Sequence, residues 1–167
     1  MSTLTVKELS HPAGEVIKIA AGKTLDLNSQ GTVTMPTGSV LQVVQALDTG
    51  NISSTSTSYA DANLAATITP TSASSKILVL ISQTGFTSNS QSPNFNIMRD
   101  ATQVMQTYTQ SQTTVQEFTG NFLNYLDSPA TASAVTYKTQ VKTNSGTVYL
   151  NWGGDGQSSI TLMEIQG

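Results

Sequence analysis

Apolar and polar residues alternate with a period of two along most of the chain, the pattern of strands with one face buried and the other wet. Val40-Leu41-Gln42-Val43-Val44-Gln45-Ala46-Leu47 is one such run. Others lie at Leu64 to Thr69, Lys76 to Ser82, Asn94 to Met98, Thr113 to Leu126, Ala134 to Val141, Thr147 to Trp152 and Ser159 to Ile165. Turn-forming clusters separate them: Asp48-Thr49-Gly50-Asn51, Thr69-Pro70-Thr71-Ser72, Ser88 to Pro93, Asp127-Ser128-Pro129, Asn144-Ser145-Gly146 and Gly153-Gly154-Asp155-Gly156. Asn121 to Leu126 fits either a short helical turn or a strand with a bulge, and no convincing amphipathic helix is found. About eight short strands at this spacing predict an all-β fold, an antiparallel sandwich or barrel.

The N-terminal part follows a different rule. Ile17/Ile19, Leu25/Leu27, Val33/Met35 and Leu41/Val43 recur at a spacing of eight residues, each as apolar-x-apolar, with Gly22, Gly31 and Gly38 between them. Such an internal repeat makes very short strands that bury too little on their own to offset the backbone entropy of ordering them. The segment therefore needs partners. Copies of the chain wrapped around a common axis would give Ile17, Ile19, Leu25, Leu27, Val33 and Met35 a shared core. An extended arm packed on another protein, or a meander joined to the main sandwich, are the other two solutions. The break falls near Pro36-Thr37-Gly38, dividing the chain into a repeated β shaft or docking arm at 1–37 and a sandwich at 38–167. The fourth unit, Leu41/Val43, doubles as the first strand of the sandwich.

Composition narrows the chemistry. Only 10% of the residues are charged and 37% are hydrophobic, against about 25% and 45–50% in ordinary soluble domains. Thr, Ser, Asn and Gln fill the difference, with 70 of the 167 residues. The absence of Cys excludes a disulfide framework, a thiolate metal site and a cysteine nucleophile. A single His excludes multi-histidine metal sites. Seven cations in the whole chain are too few for a phosphate-tracking surface, so no nucleic-acid partner is expected. No run of about 18 apolar residues exists for a membrane span, and Met1 to Ser10 lacks the apolar stretch of a secretory signal.

Several pieces together resemble a known group. Ile19 to Val44, IAAGKTLDLNSQGTVTMPTGSVLQVV, looks like the repeated shaft segments of tailed-bacteriophage fibre proteins. GSVLQVVQ at Gly38, TSYADANLAATITP at Thr57, SSKILVLIS at Ser74, FNIMRDAT at Phe95 and SSITLMEIQG at Ser158 resemble phage and environmental viral structural proteins. The resemblance covers about three quarters of the chain and rests on the order and spacing of the pieces. It implies a homotrimeric virion protein, assembled in the host cytoplasm, whose C-terminal knob is a jelly-roll sandwich similar in outline to complement-type and tumour-necrosis-factor-type trimers. It also implies docking on another virion protein, of tail or capsid, through the N-terminal segment. It supplies no catalytic motif. Asp100-Ala101-Thr102 stands where such proteins often have a Gly-containing hairpin turn.

Among chemistry-bearing residues, His11 lies in a polar turn, Ser10-His11-Pro12, without an obvious carboxylate partner. Asp100, Asp127 and Asp155 fall at strand ends and turns, where Asp usually bonds its own backbone; no Asp-x-Asp cluster suggests Ca²⁺. Arg99 is the only Arg, and beside Asp100 it reads as a local or intersubunit ion pair. Tyr149-Leu150-Asn151-Trp152-Gly153-Gly154-Asp155 is the most suggestive stretch. Tyr149, Asn151, Trp152 and Asp155 are the residue types that bind sugars, with rings stacking and amides bonding hydroxyls. Alternation, however, puts Trp152 on the face of Leu150, which favours burial in the core or at a trimer seam.

The expectation is a non-enzymatic phage structural protein without cofactor or metal, trimeric, projecting from the particle and attaching it to a host surface, with a host glycan as a further partner. A head-decoration, cement or head-fibre protein bound to the capsid is the alternative within this class. A carbohydrate-binding module is the alternative outside it, and a tail-spike glycosidase would need two carboxylates about 5–9.5 Å apart in a cleft.

Overall fold

The period-two runs become strands wherever they can pair. The computed structural model describes residues 21–22, 35–88, 93–107, 118–153 and 156–167, with the backbone alone for 118–121. His11 and five residues expected in a shaft core, Ile17, Ile19, Leu25, Leu27 and Val33, lie outside the described residues, as does Asp155. Met35–Gly167 forms one unit. Its strands are β1 (Val40–Asp48), β2 (Ile52–Ser54), β3 (Ala60–Ile68), β4 (Lys76–Thr87), β5 (Asn94–Arg99), β6 (Thr102–Thr107), β7 (Phe118–Asp127), β8 (Val135–Lys142), β9 (Val148–Leu150) and β10 (Ser158–Ile165). The all-β expectation holds: these strands pair antiparallel in two sheets, and no helix occurs among the described residues.

Two pairs of strands are single strands with an interruption. β1 and β10 pair over Val40–Asp48, and β2 and β9 pair just beyond, Ile52 opposite Leu150. β10 and β9 lie in turn against successive parts of β4, Ser159 opposite Ser82 and Leu150 opposite Gly85. Counted this way each sheet has four strands. The first is β1/β2–β10/β9–β4–β7 and the second is β3–β8–β5–β6. That order, with successive strands in opposite sheets except at the β5–β6 hairpin, is the eight-stranded double Greek key of a jelly roll.

The two inner faces fill one core. Ile77, Val79 and Ile81 of β4, Ile160 and Leu162 of β10, and Leu123 of β7 meet Leu64 and Ile68 of β3, Phe95 and Ile97 of β5, and Tyr137 and Val141 of β8. Gly85 is needed where β9 joins β4, because a Cβ there would lie 2.6 Å from Leu150 Cδ2 and 2.7 Å from the Tyr149 carbonyl oxygen. β2 and β6 have no counterpart in the alternation pattern. β2 is three residues long, and β6 reads TQVMQT, an edge strand with only Val104 and Met105 partly buried on the core. The hairpin between β5 and β6 takes its positive φ at Asp100 (50°), not at Ala101. The Asp100 carboxylate accepts the Thr136 amide at 2.9 Å, which holds that turn without a glycine.

Polar clamps close the ends of the sandwich. At one end Arg99 of β5 donates to Asp127 of β7 at 2.7 Å, and the Tyr137 hydroxyl of β8 donates to the same oxygen at 2.7 Å. Arg99 thus pairs across the two sheets with Asp127 rather than with its neighbour Asp100. Sequence adjacency misleads here because adjacent residues on a strand face opposite sides. Burial, reinforced by Asp127, pushes the Tyr137 hydroxyl well above the usual tyrosine pKa. At another point Glu164 of β10, fully buried, accepts Gln42 Nε2 of β1 at 2.6 Å and both the amide and hydroxyl of Thr71 at 2.7 Å. The β3–β4 connection is thereby tied to the first sheet.

Burial alone would raise the Glu164 pKa, but the hydrogen bonds it accepts, those from Gln42 and Thr71 among them, hold it below the ordinary glutamate value of 4.5. The unfolded chain therefore takes up this proton first as pH falls. The stabilisation from Glu164 is complete above about pH 4.5 and is lost as pH falls through the folded-state pKa. Glu164→Gln should be less stable than the parent at about pH 7, and the gap should narrow below about pH 4.5 in urea unfolding followed across pH. A gap that stays constant down to about pH 3 would contradict this role.

Candidate functional site

An antiparallel sheet with one face in the core normally presents polar residues on the other. The second sheet does so. On its outer face Lys138 Nζ and Gln140 Nε2 both donate to Asp61 at 2.8 Å. Asn96 donates to Gln140 and Gln103, Gln103 donates to Gln106, and the Thr67 and Thr136 hydroxyls bond at 2.8 Å. The Lys138 hydrogen bond, followed by that of Gln140, lowers the Asp61 pKa. This face is largely polar and cross-bonded, although the buried Asn94 and the Asn96 Oδ1 keep side-chain atoms without a partner among the described residues.

The first sheet does not follow the rule. Register places twelve of its outward residues in three rows of four, with Ile165 and the exposed Lys76 beyond the first row. They are Val43–Met163–Leu78–Leu126, then Gln45–Thr161–Leu80–Asn124, then Leu47–Ser159–Ser82–Phe122. None of the twelve is charged, and the first row is apolar across the whole sheet. Phe122 is 76% exposed, Val43 56%, Leu47 55% and Leu126 50%. Between them lies a shallow depression of about 260 Å³ lined by Leu80, Ser82, Phe122, Asn124, Ser159 and Thr161, among others. Exposed apolar side chains gathered on one sheet face in this way are typical of interaction surfaces.

The same face ends in an aromatic cluster. Phe86 of β4 and Tyr149 of β9 are paired across strands and stack with ring centroids 4.9 Å apart. Trp152 meets the Tyr149 ring edge-on at 4.6 Å and Phe86 at 6.3 Å. Trp152 is 53% exposed, so of the two sites of burial expected from alternation the core of the single chain is not the one it occupies. The strand ends at Leu150, and Asn151 takes φ 51°, so the chain turns and brings Trp152 to the side of Tyr149.

Asn151 is what fixes that turn. It is fully buried. Its Nδ2 donates to the Asp48 carbonyl at 3.1 Å, the Asp48 carboxylate at 2.9 Å and the Gly50 carbonyl at 3.3 Å. Its Oδ1 accepts the Ser158 hydroxyl at 2.6 Å and the Thr84 hydroxyl at 3.1 Å. One side chain thus joins the interruption between β1 and β2 to that between β9 and β10. Its amide is engaged inside the chain rather than offered to a ligand, a role that an Asn beside Trp and two glycines only hints at.

The structure therefore brings Tyr149 and Trp152 together, with Asn151 beneath them, and places Arg99 elsewhere, in the inter-sheet clamp. Met35, 41% exposed, precedes β1. Sequence reasoning missed Val43, Leu47, Leu78, Leu80, Phe122, Leu126 and Met163 as a surface, because alternation marks two faces without saying which one is covered. Among the described residues, no group of three or more His, Asp or Glu side chains is placed to hold a metal ion. No helix among them is long and apolar enough to cross a membrane. No protein-family model matches the chain, and no curated protein matches it.

If Asn151 is the keystone of the turn, Asn151→Ala removes its bonds and leaves a β-carbon at positive φ. Unfolding free energy should fall by about 2–4 kcal/mol, from buried groups left unpaired and backbone strain. Urea unfolding followed by the fluorescence of Trp152, the chain's single Trp, measures this directly. A loss below about 0.5 kcal/mol, the usual effect of a surface substitution, would refute it.

Proposed function

We propose that this chain is a non-enzymatic structural component of a bacteriophage particle, a homotrimer that projects from the virion and attaches it to a host surface. The observation that carries the reading is the apolar row Val43–Met163–Leu78–Leu126 and the exposed Leu47 and Phe122 on the outer face of the first sheet, beside a second sheet whose outer face is mostly polar and cross-bonded. A face of that composition suits a permanent contact between copies, since obligate interfaces resemble a core cut in half. The contrast gives each jelly roll one side for its neighbours and one side for water.

The described carboxylates support a structural rather than catalytic role. Asp127 is held by Arg99 and Tyr137, and Asp61 by Lys138 and Gln140. Asp48 is held by Asn151 and the Gly50 amide, Asp100 by the Thr136 amide, and Glu164 by Gln42 and Thr71. In the proposed particle the N-terminal eight-residue repeat docks on another virion protein, and three linked knobs gain avidity from individually weak contacts. The exposed Trp152 ring supports a glycan as the surface contacted.

Native mass spectrometry of the purified full-length protein tests the assembly. The reading predicts a species of about 53 kDa, three times the 17.6 kDa chain. A folded monomer at micromolar concentration would contradict it.

A further inference from the structure

Phe86 and Tyr149 stack on one another with 20° between their planes, whereas Trp152 meets them at 84° and 66°. Among the described residues, then, no ring lies parallel to the indole, although Trp152 is half exposed. The ring is nevertheless held in place. The buried Asn151 fixes the turn that carries it, and Gly153 takes φ 92° directly after it. A large aromatic on a fixed turn loses little conformational entropy when a ligand covers it.

Strand register places this cluster at one end of the sandwich. At the other end the Gly38 amide donates to the Gln166 carbonyl at 2.8 Å, close to where the chain enters the sandwich at Met35. Val40 and Lys76 both lie opposite Ile165 there. From Lys76 to Phe86, β4 advances about 33 Å, ten residues at about 3.3 Å each. Lys76 is also the only Lys or Arg in the strands of the first sheet. The rings therefore have no cation of their own sheet beside them. Asp48, the carboxylate bonded to Asn151, is engaged by that side chain and by the Gly50 amide.

We infer that the exposed Trp152 ring, with Tyr149 beside it, binds an uncharged pyranose unit of a glycan. A sugar ring carries C–H groups on one face and hydroxyls around its edge. The indole takes the C–H face, and the Tyr149 hydroxyl and the exposed Ser53, which lies opposite Tyr149, supply polar groups of the kind that bond the edge. Without a cation the site has nothing to pair with a sulfate, a phosphate or a carboxylate. Phe86 is buried, so the exposed aromatic surface is about one ring in size. That matches one sugar unit and falls far short of the roughly 800 Å² per partner of a standard protein interface. The end of the sandwich away from Met35 is also the end that a projecting particle component turns toward a host.

This inference rests on the attachment reading above, and the test separates it from the assembly. The full-length protein is applied to an array of neutral hexose oligosaccharides with sialylated and sulfated ones beside them. Neutral members should be bound. Trp152→Ala alters an exposed ring, so its circular dichroism and its oligomeric state should match the parent, while its binding falls at least about tenfold. Trp152→Phe keeps a ring and should recover part of the loss. Because Trp152 is the chain's single Trp, the bound oligosaccharide added in solution should shift or quench the protein's indole fluorescence, which a purely structural Trp152 would not show. Binding to no neutral member, binding confined to the charged ones, or equal binding by Trp152→Ala would overturn the site, and a native trimer seen alongside would leave the assembly standing. A monomer that binds neutral members through Trp152 would overturn the trimer and support the site.

Discussion

Two sheets can fill only one space between them, and this constraint governs the rest of the structure. Each strand presents alternate residues to opposite sides, so half of every strand faces away from the core whatever its sequence. The inner halves of β4, β10, β3, β5 and β8 solve the packing problem with Ile, Leu, Val, Phe and Tyr. The outer halves are left to assembly and function. On the second sheet they are Asp, Lys, Gln, Asn and Thr bonded to one another. On the first they include Val43, Leu47, Phe122 and Leu126, all at least half exposed among the described residues, with Gln, Thr, Asn and Ser between them.

The polar clamps make sense in this frame. The core is apolar, and a few charged side chains close its ends. Arg99, Asp127 and Tyr137 join the sheets at one end, while Glu164 ties the β3–β4 connection to β1. Asn151 does the same for two strand interruptions with a neutral amide. Removing one partner from such a buried set costs more than the pair contributes, since the remaining group stays buried and unpaired. The Asn151 bonds also set the turn that carries Trp152 to the side of Tyr149.

Much of the fold was legible in the sequence. The runs at Val40, Lys76, Asn94, Ala134 and Ser159 all became strands, since strict alternation survives the change from local to tertiary context. β6 was not legible because Thr102–Thr107 is an edge strand with little to bury, and β2 is too short to show a period. The site was less legible. Val40 to Leu47 is apolar on both faces, so no pattern tells which side meets the core. Trp152 lies outside the core because the alternation ends at Leu150 and Asn151, just before it, takes a positive φ. The partner of Arg99 lies 28 residues away on another sheet, a distance that no local rule spans.

The central claim is that the outer face of the first sheet is buried between copies of the chain. Sedimentation equilibrium of the full-length protein beside Val43→Asp/Leu126→Asp, which places charges at both ends of its apolar row, tests it most directly. Both residues are exposed in the single chain, so the variant keeps its fold. The account predicts a stable oligomer for the parent and a folded 17.6 kDa monomer for the variant. A variant that assembles as the parent does would show that this face is not the contact.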